Sequence, residues 1–239
     1  TYEQIKNIYG ELDHYPVDYH EFAADDDSNG PLFFLKALED GRHGYDVKAQ
    51  DVAEALLNYA PFEHGFFWWG GYGISTEHTA YLNLRNGIPA PMSGSIEQNG
   101  HATAEQIGGQ IFIDTWGLVN PCNPQRAADY GAAAASVSHD GNGVWGARFM
   151  CAAIAKAFET SDVNELIDAG LAQIPADCTY RAVADAVGIP DGQPLDTRDR
   201  TTMLRMAAAV SRVENGAAAD MGEVELGGEL FVRDKPASG

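Results

Sequence analysis

Apolar residues in this chain recur mostly at helical spacing, and the segments that carry the pattern are bounded by helix start and stop signals. The clearest runs from Val144 to Phe158, where Ala147, Met150, Cys151, Ile154 and Phe158 return to one face. Gly30 and Pro31 lead into Leu32, Phe33, Leu35 and Leu38, with Pro31 suited to a first helical turn. Asp51 to Tyr59 places Val52, Leu56 and Tyr59 together, and Thr76 to Leu84 predicts a further helix. Thr103 and Gln106 fit a capping box ahead of Ile107 and Ile111. Gln125 to Val137 predicts an alanine-rich helix between Pro124 and Gly141. Asp162 and Glu165 cap a short helix through Leu171, and Cys178 to Val187 predicts another. Period-two alternation and β-branched clusters are scarce, so strands are not expected to dominate.

Long glycine-rich stretches separate these helices. Gly65 to Gly73 holds Phe66, Phe67, Trp68 and Trp69, and Gly87 to Gly100 holds two prolines. Loops of this length and composition in a helical domain are usually functional. No internal repeat is found. The character changes after Gly188, which divides the chain into a helical domain at 1–187 and a divergent part at 188–239. The second part predicts a helix around Met203 to Val213. Its tail from Glu214 to Gly239, rich in Gly, Ala and Glu, predicts loose chain.

Composition narrows the function. The 239 residues suffice for one large domain. Fifteen basic against thirty-five acidic residues give a net charge of −20. Such a surface repels nucleic-acid phosphates and anionic lipid, so neither is an expected partner. No apolar run approaches the ~18 residues that span a membrane. Cys122, Cys151 and Cys178 are odd in number and widely spaced, which argues against a disulfide scaffold or a cysteine zinc site. Free thiols and the lack of a signal-peptide pattern make a cytoplasmic location the expectation.

Three motifs carry candidate chemistry. In Ala24-Asp25-Asp26-Asp27-Ser28 three adjacent carboxylates stand before an apolar helix. They either cap and offset the helix dipole or hold a hard cation such as Mg²⁺ or Mn²⁺, whose charge would relieve their repulsion. In Ser138-His139-Asp140-Gly141-Asn142-Gly143 the glycines permit close backbone approach, and the following helix N-terminus could receive a pyrophosphate. His139 there reads either as a cap or core residue or as a ligand contact. In Gln106-Ile107-Gly108-Gly109-Gln110 a glycine pair opens a helix, a costly choice unless something packs close.

Taken in order, these motifs resemble the ADP-ribosylglycohydrolase family. Ala24 to Ser28 resembles its first metal motif, a Thr-Asp-Asp-Thr-like run before a helix, with Asp25 at the first Thr position and Ser28 at the second. Gly108-Gly109-Gln110 through Gly117-Leu118-Val119-Asn120-Pro121 resembles its glycine-rich substrate loop and Asn/Tyr-Pro-Gly turn, with Cys122 where Gly is usual. Ala127 to His139, Gly141 to Val144, Ala152 to Ala155 and Leu171 to Pro175 continue the likeness, which runs from about Tyr2 to Val187. The family's opening Gly-Asp-Ala-Leu-Gly-like motif, followed by a functional Glu, and its closing Asp-x-Asp-like motif have no counterpart here. A missing N-terminal piece, or a fragment, is therefore the expectation.

The resemblance implies an all-α fold, a compact multi-helix domain, and hydrolysis of the glycosidic bond of an ADP-ribosylated protein or small molecule. It implies two Mg²⁺ or Mn²⁺ ions in the complete site. Asp26, Asp27 and Ser28 would be metal ligands, and Asp26 and Asp27 the catalytic pair. Gln106, Gly108 and Gly109 would lie along the ADP-ribose, with His139 and the Gly141-Asn142-Gly143 turn near its nucleotide part. The alternative is a catalytically inactive relative that binds ADP-ribose or serves as a soluble structural protein.

Overall fold

The computed structural model describes residues 2–11, 26–43, 45–65, 67–187, 220–226 and 229–235. Twelve α-helices are described: α1 (Tyr2–Tyr9), α2 (Asp26–Asp40), α3 (Ala49–Tyr59), α4 (Thr76–Arg85), α5 (Ile96–Asn99), α6 (His101–Ala104), α7 (Gly108–Ile111), α8 (Asp114–Leu118), α9 (Pro124–Ala135), α10 (Asn142–Lys156), α11 (Val163–Leu171) and α12 (Thr179–Val187). The fold is all-α, as the hydrophobic period predicts, with one short hairpin added. The chain divides into two compact units, Ala23–Arg181 and a second made of Thr1–Phe22 with Ala182–Gly239.

The larger unit is assembled around α10, which packs against α7, α8, α9 and α11, while α2 joins α3 and α8. Small residues let these helices approach closely. A β-carbon at Gly131 in α9 would fall 2.5 Å from Cys151 Sγ, and one at Gly117 in α8 would fall 2.6 Å from Ile154. The aromatic centre of the core is Phe34 against Trp116 and Phe112, at ring distances of 5.5 and 5.7 Å. Burial of rings this large supplies much of the hydrophobic stabilisation.

Local signals explain most boundaries. Asp26 and Asp27 stand in the first turn of α2, where negative charge is favoured. Asn123 caps α9 by accepting from Arg126 N, and Pro124 follows at the first helical position. Asp162 caps α11 by accepting from Asn164 N. At the start of α3, burial alone would push the Asp51 carboxyl up. Hydrogen bonds from Lys48 N, His43 and Arg42 N outweigh burial and hold it below its ordinary range.

Three expectations change. The buried face of α2 is Gly30, Phe33, Phe34 and Ala37, while Leu32 and Leu35 face solvent. Pro31 lies inside the helix, not at its start, so the helix begins earlier than Gly30-Pro31 suggests. The capping box is not formed. Thr103 Oγ1 donates to Gly73 O at 3.3 Å and the Gln106 amide donates to Ile74 O at 2.8 Å, both reaching a loop remote in sequence. Within the tail, β1 (Asp220–Leu226) pairs antiparallel with β2 (Glu229–Lys235), from Asp220 opposite Lys235 to Leu226 opposite Glu229. In sequence the two runs are separated by Gly227-Gly228, a hairpin dipeptide. The helix expected around Met203 to Val213 lies outside the described residues.

The turn after α8 contains Cys122 at φ 60°, a left-handed conformation that costs an L-residue free energy. This is the position at which the resembling family usually has glycine.

Candidate active site

The acidic run opens α2. Asp26 is half-buried, while Asp27 and Ser28 are exposed; Asp25 lies outside the described residues. Two further carboxylates, which the sequence reading missed, share their neighbourhood. Glu77 lies in the first turn of α4, and burial pushes its carboxyl up to about 7, with the charge of Asp26 adding to the effect. Asp114 opens α8 and is likewise raised, first by burial and then by the charge of Asp27. The acidic start of α2 thus acts on one carboxyl in α4 and on another in α8.

Glu77 is placed by its flanks. Ser75 caps α4 by accepting from His78 N, and its hydroxyl lies 3.4 Å from Glu77 Oε2 and donates to Trp68 O. Thr76 Oγ1 donates to Thr103 O at 2.7 Å. A sequence signal was available. Glu77, Ala80, Tyr81 and Leu84 stand at i, i+3, i+4 and i+7, so a carboxylate interrupts an apolar stripe. Its side chain borders a cavity of about 10 Å³ walled by Phe33, Phe34, Phe67, Phe112 and Ser138, space for at most one water.

Opposite Glu77 sits His139. Its side chain is fully buried, and burial pushes the imidazole down to about 3. Nδ1 pairs with Ser138 Oγ at 2.8 Å, whereas Nε2 has no hydrogen-bond partner. Glu77 Oε1 is 3.7 Å from Nε2. The glycines close around the ring. A β-carbon at Gly108 would fall on Glu77 Oε1 and lie 3.1 Å from His139 Nε2; one at Gly109 would lie 2.6 Å from Gly143 O and 3.2 Å from His139 Cγ. A β-carbon at Gly143 would lie 3.0 Å from His139 Cβ.

Of the residues singled out from sequence, the structure therefore brings together Gly108, Gly109, His139 and Gly143, all buried. Glu77 connects them to Asp26. Gln106, Gly141 and Asn142 are half-buried. The amides ahead of α10 are already occupied. Gly141 N donates to Asp140 Oδ1, and Asn142 N donates to Glu105 Oε1, which also accepts from the Asn142 side chain. The pyrophosphate expected at these amides would compete with those carboxylates. Among the described residues, no group of three or more His, Cys, Asp or Glu is arranged to hold a metal ion.

Comparison with family profiles matches residues 1–223 to ADP-ribosylglycohydrolase. The chain belongs to the ADP-ribosylglycohydrolase family. Comparisons with curated proteins and with solved structures gave no match. The ADP-ribosylglycohydrolases are hydrolases whose substrates carry ADP-ribose, and that class of chemistry attaches to this chain at the level of the family. Among the described residues, no helix is long and apolar enough to cross a membrane.

Proposed function

We propose that this ADP-ribosylglycohydrolase is a divalent-metal-dependent enzyme that cleaves the glycosidic bond between ADP-ribose and a modified protein or small molecule. The observation that supports this reading is that the acidic start of α2 acts on carboxyls of two other helices, Asp26 raising Glu77 and Asp27 raising Asp114. Carboxylate and hydroxyl oxygens suit a hard cation. Asp26, Asp27 and Ser28 would hold Mg²⁺ or Mn²⁺, which when bound orients ribose hydroxyls and acidifies a water. Gly108, Gly109 and Gly143 form the packed wall, with His139 behind it and the half-buried Gln106, Gly141 and Asn142 nearer solvent. Close backbone approach at the glycines is what this wall offers an ADP-ribose.

Metal binding is tested by melting. At ten times its Kd, Mg²⁺ or Mn²⁺ is expected to stabilise the protein by about 1.4 kcal/mol, because it binds the folded chain in preference to the unfolded one. The Asp26→Asn, Asp27→Asn double variant should lose that rise in Tm, and with it Mn²⁺-dependent release of ADP-ribose from a modified protein. An equal rise in variant and parent would return the acidic run to helix capping.

A further inference from the structure

We propose that Glu77 and His139 are positioning residues: the Glu77 carboxyl donates a hydrogen bond to His139 Nε2, and this bond pins the Gly108–Gly109 turn against the start of α10. The assignment of that wall to ADP-ribose rests on the function proposed above; the hydrogen bond itself does not.

Four observations carry it. The imidazole is closed off from solvent, and of its two nitrogens only Nδ1 is satisfied, by Ser138 Oγ at 2.8 Å. Nε2 is buried without a partner, a costly state that native structures rarely leave unresolved. Glu77 faces it with Oε1 at 3.7 Å, a gap that a small side-chain rotation closes. Gly108 stands beside that gap, where any β-carbon would fall on Oε1, so glycine keeps the path between the two groups open.

The proton assignment follows from what each group can do. If Nδ1–H donates to the Ser138 hydroxyl, Nε2 is an acceptor and requires a donor. A neutral carboxylic acid supplies one, whereas a carboxylate facing a neutral Nε2 would oppose two lone pairs. An ionised pair would have to bury two charges here, and that pays only with further hydrogen bonds. Burial favours the neutral form of both groups. The charged group acting on Glu77 from the neighbouring helix is Asp26, and it also disfavours the carboxylate; the backbone N–H of Glu77 itself and Ser75 Oγ, 3.4 Å from Oε2, act in the opposite sense and are outweighed by burial. Since Gly109 and Gly143 pack on the same imidazole, the bond fixes the spacing between α7 and α10 at the wall.

Two measurements test this. In ¹⁵N spectra of the metal-free protein near pH 6, the His139 ring is expected to carry its proton on Nδ1, with Nε2 bare and hydrogen-bonded. A doubly protonated ring, or a proton on Nε2, would overturn the assignment whether or not the protein binds ADP-ribose. Calorimetry with ADP-ribose and Mn²⁺ then compares two variants whose fold is verified by circular dichroism. Glu77→Gln retains an N–H donor toward Nε2 and is expected to keep the parent affinity within about twofold. Glu77→Leu removes the donor at similar volume and is expected to bind about tenfold more weakly, the equivalent of about one hydrogen bond. Equal affinity in the two variants would show that the bond positions nothing. Absence of ADP-ribose binding by the parent would sink the proposed function, leaving the ring spectra to decide the bond.

Discussion

The stability difference between Glu77→Gln and the parent is expected to change by about 3 kcal/mol between pH 4.5 and 7, in favour of the variant as pH rises. The folded protein holds the Glu77 proton up to about pH 7, while the unfolded chain releases it near the ordinary value of 4.5. Across that window the folded state binds more protons, so its stability falls with rising pH, by about 1.4 kcal/mol per unit. His139 acts in the opposite sense. Its folded value is about 3 against an ordinary 6.5, so the unfolded chain takes up a proton that the folded one refuses, and stability rises from pH 3 to 6.5. The two contributions cancel between pH 4.5 and 6.5. Glutamine keeps the shape and removes the titration, so subtracting the two curves isolates Glu77. Urea unfolding at half-unit pH steps provides the comparison. Parallel curves would mean that the carboxyl is ionised in the folded protein throughout.

Gly109→Ala is expected to destabilise the protein by about 3 kcal/mol, the upper part of the range for overpacking, because what the new methyl meets is backbone. It would stand 2.6 Å from Gly143 O and 3.0 Å from Gly143 C. That backbone is held by its own N–H, which donates to Asp140 O at 3.1 Å, and through its neighbour Asn142. Glu105 accepts from Asn142 N at 2.7 Å, and the Asn142 side-chain oxygen Oδ1 accepts from Tyr180 N at 3.0 Å. The control is Gly87→Ala, where φ is +87° and no atom lies within 4 Å. Its cost is conformational alone, about 1–2 kcal/mol. Chemical denaturation of both variants separates the two causes, and a smaller loss at Gly109 than at Gly87 would mean that α7 and α10 move apart freely.

Much of the helical frame was legible in the sequence. The stripe from Ala147 to Ile154 and the Pro124 boundary are local signals, and α10 and α9 follow them closely. The four-residue helices α5 and α6 were not legible, because one turn leaves no period to detect, whereas α7 was marked by the glycine pair that opens it. Thr103 and Gln106 were misread for a related reason. Their spacing fits a cap, but their partners, Gly73 and Ile74, lie about thirty residues away, as the hydrogen bonds record. The motifs at Asp26, Gly108 and His139 were all visible. What joins them is Glu77, whose significance depends on His139, brought opposite it only by the packing of α4 against the 138–143 turn. Burial of His139 was one of the readings the sequence left open, as a cap or core residue or a ligand contact, and the packing places the ring in the core.

The seam between α9 and α10 bears on how the molecule is made. These two helices are consecutive, joined by residues 136–141, and meet through Gly131, Cys151 and Ala147. Closing so short a loop costs little chain entropy, so their pairing can precede the rest of the fold. Gly143 and His139 travel with that early hairpin. Asp26 and Asp27 do not, for they are more than a hundred residues upstream and reach it only when α2 docks on α8. One part of the wall, Gly143 with His139, therefore belongs to a local hairpin, whereas Gly108, Gly109 and the acidic side are joined to it by contacts of longer range.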